Sequence, residues 1–202
     1  MKRYFISVLL AGSFITLRAQ LYDTFFFVSW DVSQPFTNTD FAGSTSLAGL
    51  HGGYHKFLGD FFSAGLDIGS NTYDNYLPRT TIMSPGSAIT TEYFNYLRLL
   101  SATASGAYYF RSEGKIIPYA SLGLGVAYSI YEQYYNVYSA NQAKLGFMAR
   151  PGAGLFLRTR DYSSWGIRAG AHFDYASTSI EEWETNDFLG AGFQIGVVIF
   201  NE

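Results

Sequence analysis

The strongest constraint on this chain is a strict two-residue alternation, which is clearest between Trp165 and Tyr175. In that stretch, WGIRAGAHFDY, every odd position is apolar or aromatic and every even position is glycine or charged. Because successive side chains of a β-strand point to opposite faces, the pattern predicts a strand with one apolar and one polar face. Arg168, His172 and Asp174 share the polar face, which therefore needs either bulk water or a polar interior.

The same period recurs along the chain, and the sequence has no long 3.6-residue period of the kind that amphipathic helices show. We expect eight strands, at about 24–33, 47–57, 61–72, 92–110, 117–132, 144–158, 164–176 and 188–200. Their connections alternate strictly between short ones (Leu58–Asp60, Arg111–Lys115, Arg160–Ser163) and long ones (Gln34–Ser46, Tyr73–Thr91, Gln133–Ala143, Ser177–Asp187). This sorting favours an all-β fold, an eight-stranded antiparallel up-and-down transmembrane β-barrel.

Composition supports strands rather than membrane helices. The 202 residues are 48% hydrophobic and 19% aromatic but only 14% charged, and they include 17 Tyr, 18 Phe and 21 Gly. Aromatic residues flank the short turns, as at Tyr54, Phe62, Tyr108 and Trp165, which is typical of the interfacial girdle of a membrane barrel. A secreted soluble barrel or sandwich is the alternative. The sequence contains no cysteine, which excludes disulfides and thiolate metal sites within it.

The first 19 residues have the pattern of a secretory signal peptide. Lys2 and Arg3 precede an apolar run from Tyr4 to Leu17, which is too short to span a bilayer as a helix. We expect cleavage after Ala19, which leaves residues 20–202 as the barrel domain. Cleavage removes three basic residues and no acidic one, so the formal net charge changes from −3 to −6. An acidic mature chain argues against nucleic acid as a partner.

Four segments carry a family resemblance. They are VSWDVSQPF (Val28–Phe36), KFLGDFFSAGLDIG (Lys56–Gly69), PYASLGLGVAY (Pro118–Tyr128) and SSWGIRAGAHFDY (Ser163–Tyr175). With them the chain resembles the small outer-membrane β-barrels of Gram-negative bacteria, the OmpA- and OmpX-like barrel domains. The resemblance implies insertion by the outer-membrane assembly machinery, short turns and both mature termini in the periplasm, long loops outside the cell, and outer-membrane lipid and lipopolysaccharide as surroundings. Ile199 rather than Phe200 takes the outward position near the end of the last strand, a departure from the aromatic that such barrels often have there.

The polar face collects ionisable residues that we expect to form a lumen network. These residues are Asp31, His51, His55, Asp67, Arg150, Arg168, His172 and Asp174. Eight strands leave an interior just wide enough for side chains, and an unpaired buried charge is costly, so the predicted role of the network is a plug. We expect Arg150 and Arg168 to pair with Asp67 and Asp174. No cofactor or metal site is predicted, because His51 and His55 are four residues apart on one strand, roughly 13 Å.

The outer loops offer aromatic and acidic side chains for recognition. We single out Tyr134, Tyr135, Tyr138 and Trp183, although an upper aromatic girdle with solvated acids would give the same pattern. No His, Ser and Asp spacing indicates an enzyme. The predicted function is therefore structural or interactive, either alone or as a subunit of a larger envelope complex. The alternative is a narrow channel for small solutes.

Overall fold

The chain is described by a computed structural model, which covers residues 24–84, 87–135, 138–158 and 163–201. Eight strands and two short helices follow one another in the order β1 Thr24–Pro35, α1 Thr39–Ala42, β2 Ser46–Phe57, β3 Phe62–Ser84, β4 Ser87–Tyr109, β5 Ile116–Tyr135, β6 Tyr138–Arg158, β7 Trp165–Ala176, a 3-10 turn Glu181–Trp183 and β8 Phe188–Asn201. The expected signal peptide, residues 1–19, lies outside the described residues. In the described part of the chain, no helix is long and apolar enough to cross a membrane.

The eight strands form a closed barrel in which each strand pairs antiparallel with its neighbours in sequence. β1 and β8 close the ring, with Phe27 opposite Val198 and Asp31 opposite Gln194. The predicted eight-stranded up-and-down barrel is therefore confirmed. Closure leaves no open strand edge around the wall, which a membrane barrel requires because hydrocarbon offers no hydrogen-bond partner.

The two faces of the wall follow the predicted alternation. On β3, Leu66 and Ile68 are 69% and 68% exposed, whereas Asp67 between them is 7% exposed. On β7, Phe173 is 39% exposed and His172 only 5%. The apolar residues thus cover the outside and the charged residues line the inside, which is the reverse of a soluble barrel.

Two of the predicted long loops are instead strand. β3 and β4 remain paired as far as Ser84 opposite Ser87, and β5 and β6 as far as Tyr135 opposite Tyr138. The predicted loops at Tyr73–Thr91 and Gln133–Ala143 are therefore wrong. These strands run beyond the wall, where one face no longer has to be apolar, so the alternation used to detect strands fades while the hydrogen-bond ladder continues.

The extra length builds a second structural region. Pairing of β2 with β3 ends at Leu50 opposite Ser70, and pairing of β6 with β7 ends at Met148 opposite Ala176. Beyond those points β3, β4, β5 and β6 stay paired with one another for the greatest length. We call residues 71–84, 87–99, 129–135 and 138–147 the extended sheet. The predicted long connections at Gln34–Ser46 and Ser177–Asp187 are largely irregular and hold α1 and the 3-10 turn.

Candidate functional site: the barrel interior and an extended sheet

The middle of the lumen holds a compact group of four charged side chains. Arg150 on β6 donates to the Asp31 carboxylate on β1, and its Nε lies 3.4 Å from Asp174 Oδ1 on β7. His172 Nε2 lies 3.5 Å from Asp31 Oδ1 and 3.3 Å from Asp174 Oδ2. All four side chains are buried. The Arg150 guanidinium and the His172 imidazole thus both lie against the two buried carboxylates, which gives each carboxylate a partner.

A second group lies across the lumen on β2, β3 and β4. His55 Nε2 is 2.8 Å from Asp67 Oδ1, and its Nδ1 is 3.3 Å from Ser63 Oγ. Ser63 continues the network to Tyr109 Oη at 2.9 Å. His51 lies on the same face of β2, with Nδ1 2.7 Å from Gln194 Oε1. Histidine rather than arginine is therefore the partner of Asp67.

Arg168 departs from its predicted pairing. Its Nε donates to Tyr119 Oη at 2.8 Å, and its guanidinium lies 4.0 Å from the ring centroid of Phe27 and 4.8 Å from that of Tyr119. Among the described residues it forms no ion pair with a carboxylate, so the expected pairing with Asp67 or Asp174 is wrong. The reason is the position of Arg168 along the barrel axis. Arg168 lies opposite Phe156, within an aromatic layer whose π-faces attract a desolvated cation.

That aromatic layer lies across the lumen near the end of the short turns. Its buried members are Phe25, Phe27, Ala107, Tyr109, Ile117, Tyr119, Phe156, Val198 and Phe200. This layer was not predicted from the sequence, although Phe25 and Phe27 lie on the same face of β1 as Asp31. Their large aromatic side chains on the polar face were the signal for an interior plug.

A second apolar layer lies across the lumen near the end of the loops. It contains Ala42, Tyr73, Leu97, Leu99, Ala127, Tyr131, Met148, Ala176, Ile180 and Phe188. The first and last long loops are joined above it, because Thr37 Oγ1 donates to the Asp187 carbonyl at 2.7 Å and Asn186 N donates to Asn38 Oδ1 at 2.7 Å. The polar groups are thus enclosed between two apolar layers.

Very little space remains between these layers. The cavity at mid-lumen has a volume of about 10 Å³ and is lined by polar side chains that include His51, Asp67, Arg150, Arg168 and His172. That volume is close to the minimum that accommodates one water molecule. Among the described residues, no group of three or more His, Asp or Glu side chains is placed to hold a metal ion.

The four predicted recognition residues do not form one surface. Trp183 is half-buried against Phe41, with ring centroids 5.4 Å apart, and Phe41 in turn contacts Tyr131 over the mouth of the barrel. Tyr134, Tyr135 and Tyr138 belong to strands of the extended sheet. Tyr135 and Tyr138 oppose each other on one face, whereas Tyr134 lies on the opposite face.

No protein-family model matches the chain, and no curated protein matches its sequence. Solved structures do match its fold. Neisserial surface protein A aligns with a TM-score of 0.54 at 11% identity, over 87% of this chain and 96% of that one. The attachment invasion locus protein of Yersinia pestis, Ail, aligns with a TM-score of 0.55 at 11% identity, over 90% of this chain and 100% of that one. Ail was also solved with the heparin analogue sucrose octasulfate, and that structure aligns with a TM-score of 0.53.

The class defined by fold and interior follows from these observations. The chain has the fold of the small eight-stranded outer-membrane β-barrels, with an apolar outer surface and charged side chains on its inner face. The resemblance inferred from its alternating segments is confirmed at the level of the fold.

Proposed function

We propose that this protein is a non-enzymatic integral outer-membrane β-barrel with a closed lumen, and that it acts through the parts that extend outside the membrane. Its role is structural or interactive, alone or within a larger envelope complex. In this proposal the signal peptide directs export, the outer-membrane assembly machinery inserts the barrel, and the long loops face the exterior. The short turns and both mature termini face the periplasm.

The outer wall supports membrane insertion. Along β4, the outward positions from Tyr108 to Leu100 are aromatic, apolar or glycine. From residue 108 to residue 100 the strand is about 27 Å long. At a usual barrel tilt this corresponds to about 21 Å along the membrane normal, close to the typical 25 Å apolar band. In water this band would expose a continuous apolar surface far larger than soluble monomers tolerate. Hydrocarbon removes that cost.

The packing inside the lumen favours a plugged barrel over a channel. Apolar clusters lie across the lumen toward both ends, and the cavity between them at mid-lumen has a volume of about 10 Å³. A hydrated ion cannot pass such an interior without displacing several packed side chains. This supports the structural or interactive role over the narrow channel for small solutes.

The net negative charge at the loop end of the barrel limits which external ligands can bind there. The segments at the loop end of the barrel, residues 34–50, 71–99, 129–147 and 175–190, contain eight acidic and three basic residues, a formal charge of −5. Such a surface repels polyanions. A ligand like the sucrose octasulfate bound by Ail is therefore disfavoured for this chain, despite the shared fold.

The test combines location with conductance. The mature protein should fractionate with the outer membrane, resist carbonate extraction and migrate differently in SDS gels before and after boiling. Purified protein in planar bilayers should then show little steady conductance. Recovery in the soluble periplasmic fraction would refute membrane insertion, whereas a stable ion-selective pore would favour the channel.

A further inference from the structure

The outward face of the extended sheet continues the outer wall of the barrel without a break. On β4 the even positions point outward from Ala102 and Leu100 in the wall to Arg98, Tyr96 and Phe94 in the extended sheet, while the odd positions beside them are buried or half-buried. Whatever surrounds the barrel at that height must therefore lie directly against this face.

The residues along this face change in an order that follows height above the membrane. Leu100, Tyr128 and Leu145 form an apolar row across β4, β5 and β6 at the upper edge of the wall. Arg98 lies in the next outward row, about 5 Å higher at usual strand rise and tilt. Its guanidinium is 4.0 Å from Glu132. Phe94 lies about 15 Å above Leu100 by the same geometry.

An aromatic row occupies that upper level. Tyr76 on β3 pairs with Phe94 on β4, which pairs with Tyr134 on β5. The three side chains are 48%, 44% and 43% exposed, and the Tyr76 and Phe94 ring centroids are 4.8 Å apart. Tyr96 supports the row from below, with its ring centroid 5.9 Å from that of Tyr134.

Polar side chains border the aromatic row. Ser139 lies opposite Tyr134, and Asn141 lies opposite Glu132 in the row beneath, where Asp74 lies opposite Tyr96. Hydroxyl, amide and carboxylate oxygens beside exposed rings suit a ligand that has many hydroxyl groups and flat C–H faces. Those are the features of a sugar ring, which stacks on an aromatic face through its C–H groups.

We propose that this face binds the saccharide portion of the lipopolysaccharide that surrounds the barrel. Acyl chains contact the apolar wall up to Leu100, and core sugars stack on the row formed by Tyr76, Phe94 and Tyr134. The inference rests on the proposed location in the outer membrane, since only there does a saccharide layer begin at the upper edge of the wall. The acidic loop end is compatible with uncharged sugars and unfavourable for free polyanions.

The test uses full-length mature protein in phospholipid nanodiscs and two forms of lipopolysaccharide with the same lipid A. One form carries the complete core oligosaccharide, and the other is trimmed to lipid A. The complete form should bind about tenfold more tightly, the effect expected of one or two stacked rings. A double variant, Phe94→Ser with Tyr134→Ser, should bind both forms with equal affinity.

Tyr138→Ser is the matched control, because Tyr138 is an exposed tyrosine of the same hairpin on the opposite face. It should keep the wild-type preference for the complete core. Free core oligosaccharide should compete with complete lipopolysaccharide for wild-type protein, which tests the proposal even if the double variant does not fold.

Three results would overturn the proposal: equal affinity of wild-type protein for both forms, an equal loss in Tyr138→Ser, or displacement by an arginine- and lysine-rich peptide but not by the oligosaccharide. The last result would identify the face as a protein docking surface. A protein that does not enter nanodiscs would instead refute the proposed membrane location.

Discussion

The extended sheet is built from four of the eight strands that form the barrel wall, yet the faces of the two regions meet different surroundings. In the wall, Leu66 and Asp67 differ almost tenfold in exposed fraction, because one faces outward and the other faces a packed interior. In the extended sheet, Tyr134 and Tyr138 lie on opposite faces and are 43% and 64% exposed. Alternation of apolar and polar residues therefore reports what each face meets and is not a general property of strands.

The largest effect is expected where charges are buried in the wall. Arg150→Met leaves the Asp31 and Asp174 carboxylates without their guanidinium, and should lower the free energy of unfolding by about 3–5 kcal/mol. Urea unfolding in lipid vesicles, followed by tryptophan fluorescence, measures this. Adding Asp31→Asn and Asp174→Asn should recover most of the loss. A single variant as stable as wild type would mean that the four-residue group does not hold the barrel together.

The lipid face gives the next largest effect. Leu124→Arg, near the middle of β5, should cost about 2–4 kcal/mol and reduce assembly. Asn141→Arg places the same side chain outward on the extended sheet, next to Glu132, and should change stability by no more than about 0.5 kcal/mol. Folded yield and urea unfolding in vesicles measure both. Similar losses in the two variants would contradict the difference in environment between wall and extended sheet.

The two buried arginines, Arg150 and Arg168, should differ in how much they stabilise the barrel. Arg168→Met should lower the free energy of unfolding by only about 2 kcal/mol. It removes contacts with aromatic faces but leaves no carboxylate without a partner. It should also leave Tyr119 Oη without its donor. The same urea titration applies. If Arg168→Met were as damaging as Arg150→Met, Arg168 would have an ionic partner that its aromatic surroundings do not suggest.

The smallest effect belongs to the tip of the extended sheet. Thr81 and Thr90 share a hydrogen bond of 2.7 Å between exposed hydroxyl groups. Replacing both with alanine should cost no more than about 0.5 kcal/mol, as for other exposed cross-strand pairs. Amide hydrogen exchange should accelerate only near the tip while global unfolding is unchanged. A shift in global unfolding would show that the extended sheet and the wall unfold as one unit.

The errors made from sequence have a common physical origin. Tyr73–Thr91 and Gln133–Ala143 were expected to be loops because their alternation is weak, but hydrogen bonds to a neighbouring strand need no apolar face. Arg168 was expected to meet a carboxylate because charge is visible in a sequence, whereas its distance from each aspartate is not.

The sequence by itself determined the number of strands and which residues share a face, because side-chain direction along a strand depends only on counting residues by two. That is why Asp31, Asp67 and Asp174 could be assigned to the interior without coordinates. Only the tertiary structure decided that Arg150 meets Asp31 and Asp174 while Arg168 meets Tyr119. Contacts across a barrel depend on the stagger between strands and on the diameter at closure, which are collective properties of all eight strands.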